Sequence, residues 1–346
     1  MRKNKKRFFL ILVAMIFIIA SVLIIKEKNS ENKYYSTKAE KQDSTDNEES
    51  EASSSSDNEE GVTEVVEEPV EEQDEAEVVE YINIAPEEVS IPILMYHSIC
   101  ADYPDNSLMV APELFNEQMA WLNNNGFTTM SLEEVYEAFE TGKVPVRPVA
   151  ITFDDGYADN YTEAYPILKK YGMKATFFII TNNTDKDGYY MNTDMLKEMK
   201  EYGMEIENHT AYHFELGGAS LEDQRMTIED GQTFLKENIG VESKFLCYPA
   251  GKYDDTTVSL DAQLGIKAAV TTEYGFSSIN DGLYTLKRVR ISPMSMDSFI
   301  SIFSPFTEWK SYDIINLIYL VIIILDNSWL FLVKVIDVLL GWQLWR

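Results

Sequence analysis

Histidine is nearly absent from this chain: three residues in 346, His97, His209 and His213. Two of the three share one short string, His209-Thr210-Ala211-Tyr212-His213, which is hard to reconcile with a passive scaffold. Cysteine is scarcer still, with Cys100 and Cys247 alone. Two thiols are too few for a disulfide framework. They either bridge or stay as two small buried thiols. No cysteine follows the N-terminal apolar segment, which argues against a lipid-modified N-terminus. Positive charge is also short: 29 Lys and Arg stand against 58 Asp and Glu, for a net charge of −29. No basic stripe appears anywhere, so nucleic acid is not expected as a partner.

What is present begins with Arg2, Lys3, Lys5, Lys6 and Arg7, followed by an apolar run from Phe8 to Ile25 with Ser21 as its one polar side chain. At 1.5 Å per residue that run reaches roughly 27 Å, close to the hydrocarbon thickness of a bilayer. Ile24-Ile25-Lys26-Glu27 lacks the small-residue pattern of a cleavage site. The segment therefore reads as an uncleaved signal anchor over 8–25, with a cleaved signal peptide as the alternative. The basic flank places residues 1–7 in the cytoplasm as a short tip and everything after Ile25 outside the cell membrane. Residues 26–90 read as an acidic disordered linker. From residue 30 onward it holds 21 acidic and 3 basic residues, or −18 of the total −29. Such a segment lacks the apolar area that offsets ordering entropy, and self-repulsion extends it. The acidity is thus mostly a property of the tether.

From Ile91 to about Phe303 the pattern changes to alternating strands and helices. Apolar, β-branched runs occur at Ile93–Tyr96, Val149–Phe153, Ala175–Ile180, Met204–Ile206, Lys244–Tyr248, Ala268–Thr271 and Leu286–Ile291. Between them Leu114, Phe115, Gln118, Met119 and Leu122 form a helical stripe. Ser131 with Glu134 predicts a capping box, and Ser220 with Asp223 a weaker one. Gly126, Gly172, Gly203 and Gly240 stand where helices should stop. About seven strands with intervening helices predict an α/β fold, either a parallel barrel or an open sheet. In such folds catalytic groups collect at the carboxyl ends of strands.

Two motifs fall at such ends. Thr152-Phe153-Asp154-Asp155-Gly156 follows Val149-Ala150-Ile151, and the histidine string follows Met204-Glu205-Ile206-Glu207-Asn208. A hydrolytic zinc site needs three protein ligands and one open position. Asp155, His209 and His213 supply three, because histidines four apart meet one ion from a helical turn or a tight loop. Asp154 diverges from its neighbour at a strand end and is free to act as general base. Alone, Asp-Asp-Gly reads as a solvated turn and H-x-x-x-H as a helix surface pair. Together, each after a strand, they predict a metal site.

These motifs resemble the polysaccharide deacetylase (NodB homology) family, carbohydrate esterase family 4. Thr152–Gly156 matches the family's first motif, T-F-D-D-G, and His209–His213 its second, H-[ST]-x-x-H. Cys247-Tyr248-Pro249-Ala250-Gly251 stands where R-x-P-Y-G is often found. The resemblance covers residues 91–303. It implies a distorted (β/α) barrel that removes acetyl groups from N-acetylated or O-acetylated sugars. With the strand pattern and N-terminal reading above, the expected chain is an α/β barrel of about seven parallel strands preceded by a transmembrane helix and the linker. The resemblance also implies Asp154 as base and Asp155, His209 and His213 as ligands of a divalent metal, zinc foremost, with cobalt or nickel also accepted by such donors. Tyr248, Pro249 and Ala250 are the expected oxyanion or substrate segment, acting through the Ala250 N–H. The motif-three arginine is replaced by Cys247, for which Arg288 or Arg290 could substitute; a solvated strand-edge arginine is the competing reading. No histidine follows His213, so the late leucine-histidine motif is missing. The string Leu94-Met95-Tyr96-His97 resembles the subgroup that includes poly-N-acetylglucosamine deacetylases, in which the acid histidine comes early. This implies His97 as general acid, an imidazole being suited to that task.

Residues 304–346 lie beyond the resemblance. Apolar stretches at 314–325 and 329–345 are interrupted by Asp326-Asn327-Ser328, and Lys334 and Asp337 fall inside the second. An interfacial amphipathic segment, a tilted second span and packing against the barrel all fit this hydrophobic tail. The expected whole is a membrane-anchored, extracytoplasmic, metal-dependent deacetylase of N-acetylglucosamine-containing cell-wall or surface glycans. A non-catalytic carbohydrate-binding module on the same barrel is the alternative.

Overall fold

The computed structural model describes residues 79–103 and 105–307. The expected cytoplasmic tip at 1–7, the expected anchor at 8–25, most of the expected linker and residues 308–346 lie outside the described residues. Among the described residues no helix is long and apolar enough to cross a membrane.

In chain order the strands are β1 (Tyr81–Asn83), β2 (Ile93–Tyr96), β3 (Thr128–Met130), β4 (Lys143–Pro145), β5 (Pro148–Phe153), β6 (Thr176–Ile179), β7 (Glu205–Asn208), β8 (Phe245–Cys247), β9 (Ala268–Tyr274) and β10 (Leu286–Arg290). Seven of them, β2 and β5 to β10, pair in parallel, and the β2–β5 and β10–β2 pairings close the ring. The open-sheet alternative is thereby removed, and the seven strands foreseen in the sequence are the seven of the barrel. Strands β2, β5, β6 and β8 are buried at every residue, as parallel strands covered on both faces must be. The sequence pattern missed β3, which adds to the lower part of β5, and the antiparallel β1–β4 pair. Each has three residues, too few to show a period.

The principal helices are α1 (Pro112–Asn124), α2 (Leu132–Thr141), α3 (Tyr165–Lys170), α4 (Thr193–Tyr202), α5 (Leu221–Phe234), α6 (Asp255–Gln263) and α7 (Met296–Ile302). Their apolar stripes meet the outward-facing strand residues. Phe115 and Met119 of α1, Leu168 of α3 and Leu196 of α4 share one core with Leu94, Ile151, Phe153 and Phe177. Helix α2 does something else. It closes the amino end of the barrel, packing Leu132, Val135 and Phe139 against the inward residues Ile93, Ala150, Phe178, Phe245 and Val270. The capping box that starts it is present in both directions: Ser131 Oγ accepts from the Glu134 N–H, and Glu134 accepts from the Ser131 N–H. Glu205, on β7, adds a carboxylate to the same helix end, accepting from the N–H groups of Leu132 and Glu133. Ser220 caps α5 through the Asp223 N–H. Gly203 and Gly240 end helical segments in the left-handed conformation.

Two expected boundaries move. The sequence pattern puts the end of the linker at residue 90, yet Tyr81–Asn83 forms a strand and Val89 is buried, so the fold begins about ten residues earlier. At the other end Phe306 packs against Phe127 and Phe276, so the start of the expected tail belongs to the domain. Neither cysteine is bridged. Cys247 is buried, but Cys100 is half-exposed rather than buried.

Candidate active site

The ends of β5 and β7 deliver the two motifs to one point at the mouth of the barrel. The backbone N–H of Asp154 still bonds the Tyr96 carbonyl of β2, so Asp154 stays in register with the sheet. Asp155 then turns into the left-handed region, with φ 74°, and Gly156 follows at 78°. That turn sends two adjacent carboxylates to different partners. Asp154 points inward and Asp155 points across the mouth to the histidines.

His209 ends β7, its N–H bonded to the Ile179 carbonyl of β6. His213 is brought back by a tight loop, not a helical turn: Thr210 and His213 have φ of 63° and 56°, and Thr210 Oγ1 accepts from the His213 N–H at 3.0 Å. Further bonds from Thr181 and Asn182 to the Thr210 and Ala211 carbonyls fix the loop. Asp155 Oδ1 lies 3.4 Å from His209 Nε2 and 3.3 Å from His213 Nε2. Two donors on a tetrahedral ion with bonds of about 2.0–2.1 Å stand about 3.3–3.4 Å apart. The three donor atoms lie within 4.8 Å of one another. His209 Nδ1 is 2.8 Å from the Cys247 carbonyl, which fixes the tautomer that leaves Nε2 free to coordinate. The donor set therefore fits a divalent cation. Asp155 is held far below the ordinary carboxylate range; burial opposes this, and the two imidazoles outweigh it.

A second trio, Asp154, His209 and Cys247, is also close enough to share an ion. Its carboxylate is already taken. Arg288 of β10, with no exposed surface, clamps Asp154 in a bidentate pair, Nη1 to Oδ1 and Nη2 to Oδ2, both at 2.7 Å. The guanidinium is itself anchored, with Nε on the Thr271 carbonyl at 2.9 Å and Nη2 3.2 Å from Cys247 Sγ. Burial alone would raise Asp154; the Arg288 charge and hydrogen bonds reverse that and hold it below its usual value. Of the two arginines considered for the missing motif-three position, the structure selects Arg288. Arg290 is exposed and bonds Ser107.

His97 follows β2 and sits at the same mouth, with Nε2 3.9 Å from Asp154 Oδ2. Burial pushes its pKa below the ordinary imidazole value, against the pull of Asp154 and Asp155. Its loop is tied down by residues the motifs did not reveal. Asn160 donates to the His97 carbonyl at 2.7 Å, and Asp159 accepts from Ser98 Oγ and the Ile99 N–H. The Cys247–Gly251 segment is only partly in the mouth. Ala250 is exposed and left-handed at φ 53°. Pro249 is buried in that turn. The Tyr248 side chain is not at the site: it has no exposed surface, bonds Asp261 and stacks on Tyr253. The expectation of a substrate role for Tyr248 is therefore corrected to the backbone of its turn, because its ring is committed to a separate core with Leu246 and Leu260.

Comparisons with known proteins point the same way. The family model described as polysaccharide deacetylase matches residues 141–269. A Bacillus subtilis protein, YxkH, provisionally named a polysaccharide deacetylase, is 40% identical over 211 residues, which cover 60% of this chain and 74% of the relative. The chain belongs to the polysaccharide deacetylase family. Among other members, a Staphylococcus aureus poly-β-1,6-N-acetyl-D-glucosamine N-deacetylase is 30% identical over 213 residues, covering 58% of this chain and 73% of that one. The Streptococcus pyogenes deacetylase PplD, solved in complex with acetate, superimposes with a TM-score of 0.61 at 38% identity, over 63% of this chain and 99% of that one. As a member of this family the chain is a carbohydrate deacetylase, a hydrolase.

Proposed function

We propose that this chain is a divalent-metal-dependent de-N-acetylase of N-acetylglucosamine-containing glycans. The carrying observation is that one carboxylate, Asp155, faces two imidazoles at 3.3 and 3.4 Å while its neighbour Asp154 is aligned by a buried arginine. A binding module has no use for a clamped carboxylate beside a complete ligand set. The S. aureus relative's name favours a polymer of N-acetylglucosamine as substrate. The acetate bound in PplD is the product such a reaction releases.

Asp155, His209 and His213 would hold the cation. When bound, it makes a water more acidic and polarises the acetyl carbonyl, which a base as weak as the Arg288-paired Asp154 needs. Asp154 accepts the proton, and the bidentate Arg288 pair fixes the orientation of its carboxylate. The N–H of Ala250, presented by a left-handed turn, donates to the developing oxyanion. His97, with Nε2 3.9 Å from Asp154 Oδ2, delivers a proton to the departing amine. The donor set suits zinc, with cobalt or nickel as substitutes. The apolar run at 8–25 and the acidic stretch after it support a membrane-anchored enzyme, working outside the cell on wall or surface polymers.

The test is acetate release by the full-length protein from a panel of acetylated glycans, with bound metal measured alongside. The wild type should release acetate and lose this activity on chelation. Asp155→Ala should lose the metal and more than about a thousandfold of the rate, the several kcal/mol a metal supplies. Full activity in Asp155→Ala, or in metal-free protein, would overturn the reading.

A further inference from the structure

A cluster of three tyrosines leads from the metal-ligand carboxylate to solvent, and the catalytic residues leave it unused. Tyr157 lies beside Asp155, and burial together with that carboxylate pushes its phenol well above the usual range. Tyr190 stacks on Tyr157 with ring centroids 5.5 Å apart and planes 18° from parallel. Tyr189 meets both rings edge-on, at 5.3 Å and 5.2 Å. Exposure rises along the series. Tyr157 and Tyr190 are half-buried and Tyr189 is 55% exposed.

This cluster is held by backbone, so its shape is set before any ligand arrives. Tyr157 and Tyr190 form an antiparallel bridge, Ala158 donates to the Tyr189 carbonyl at 2.9 Å, and Met191 donates to the Gly156 carbonyl at 2.9 Å. Asp187 accepts from the Tyr189 N–H at 2.9 Å. The loop after β6 is thereby stitched to the loop after β5 that carries both catalytic carboxylates. A large aromatic face left open on a fixed backbone loses little entropy on binding. Its π face is electron-rich, and the C–H-bearing face of a pyranose ring is the apolar, weakly positive partner it favours.

We propose that Tyr189, backed by Tyr190 and Tyr157, is a stacking subsite for the pyranose ring next to the sugar that loses its acetyl group. This rests on the deacetylase reading above. The cluster begins at the ligand Asp155, so a glycan with one unit at the cation passes a neighbouring unit over the open tyrosine.

The experiment compares full-length wild type, Tyr189→Ala and Tyr189→Trp on two substrates: a tetramer of N-acetylglucosamine, and p-nitrophenyl acetate, which has no sugar to stack. Tyr189→Ala should raise KM for the tetramer about three- to tenfold, as expected for one lost aromatic contact, and leave the ester kinetics unchanged. Tyr189→Trp should restore the tetramer KM. An unchanged tetramer KM in Tyr189→Ala, or an equal loss on both substrates, would overturn the subsite. Should the wild type release no acetate from any glycan, the deacetylase reading fails by itself. Calorimetric binding of the tetramer to wild type and Tyr189→Ala then decides the subsite, and equal binding or none by either rejects it.

Discussion

Glu205 and Glu207, on β7 toward the floor of the barrel, accept most of their hydrogen bonds from backbone N–H groups and hydroxyls. Asp154 and Asp155, at the mouth, are answered instead by Arg288 and by His209 and His213. All four carboxylates are largely removed from water, yet their acidities move in opposite directions. Burial, helped by Glu205, pushes Glu207 up to about 8, because neutral donors only partly offset lost hydration. At the mouth the Arg288 charge holds Asp154 low, and contact with the His209 and His213 imidazoles holds Asp155 low, each against the same burial. The backbone shows the same contrast. Of five non-glycine residues with positive φ among the described residues, Asp155, Thr210, His213 and Ala250 are at the mouth. Each such conformation costs about 1–3 kcal/mol and persists where the surroundings enforce it. The floor is built for burial, and the mouth spends stability on holding charge in place.

The comparison breaks most sharply at Arg288. Arg288→Ala leaves Asp154 buried and unpaired, so it should cost about 3–5 kcal/mol of stability as well as most of the acetate release. Arg288→Ala/Asp154→Asn, which removes the orphan charge, should regain stability without regaining activity; chemical denaturation and acetate assays measure the two separately. A variant as stable and active as wild type would show that the clamp is dispensable.

At the floor the two properties should separate the other way. Phe139→Ala opens a cavity under α2 at a residue with no exposed surface. It should cost about 3–5 kcal/mol, or a fall in Tm of about 6–20 °C at about 2–4 °C per kcal/mol. Activity of the folded protein at low temperature should stay at the wild-type level. A loss of kcat larger than the loss of folded protein would mean that floor and mouth are coupled.

The smallest effect concerns pH. Glu207 titrates near 8 when folded and near its ordinary 4.5 when unfolded. Between those values the folded chain holds more protons than the unfolded one. Its contribution to stability is therefore complete below about pH 4.5 and drains away as pH rises through 8. Glu207→Gln keeps an oxygen acceptor but cannot ionise, so Tm measured from pH 5 to 8.5 should fall less steeply than in wild type. Parallel pH profiles for the two proteins would remove Glu207 as the cause.

Much of this was legible in the residues. The seven barrel strands show as apolar runs because a strand buried on both faces admits little else. The Asp155, His209 and His213 trio, close enough in the structure to share an ion, shows because a hydrolytic metal site would need those residue types at strand ends. The clamp was half legible. Arg288 and Arg290 share strand parity, so both face one side of β10, but Arg290 lies two residues nearer the rim, and only depth separates a buried guanidinium from a solvated one. The roles of Asn160 and Asp159 in tying down the His97 loop, and the three-tyrosine cluster, gave no periodic signal, since they join segments roughly 30 to 60 positions apart. The Tyr189-Tyr190 doublet was the one available hint. Tyr248 misled because its motif position marks a turn, and the backbone direction that sends its ring into the core is set by neighbouring strands.

The sequence by itself determined the alternation of strands and helices, the chemical types at the mouth and the family they belong to, because local pattern and residue chemistry suffice for these. Closure of the sheet into a ring, the choice of arginine, the opposite fates of adjacent Asp154 and Asp155, and the aromatic path to solvent were decided only by the tertiary structure. Each depends on distances between residues far apart in the chain, and on how much water and charge surround a group once the chain is folded.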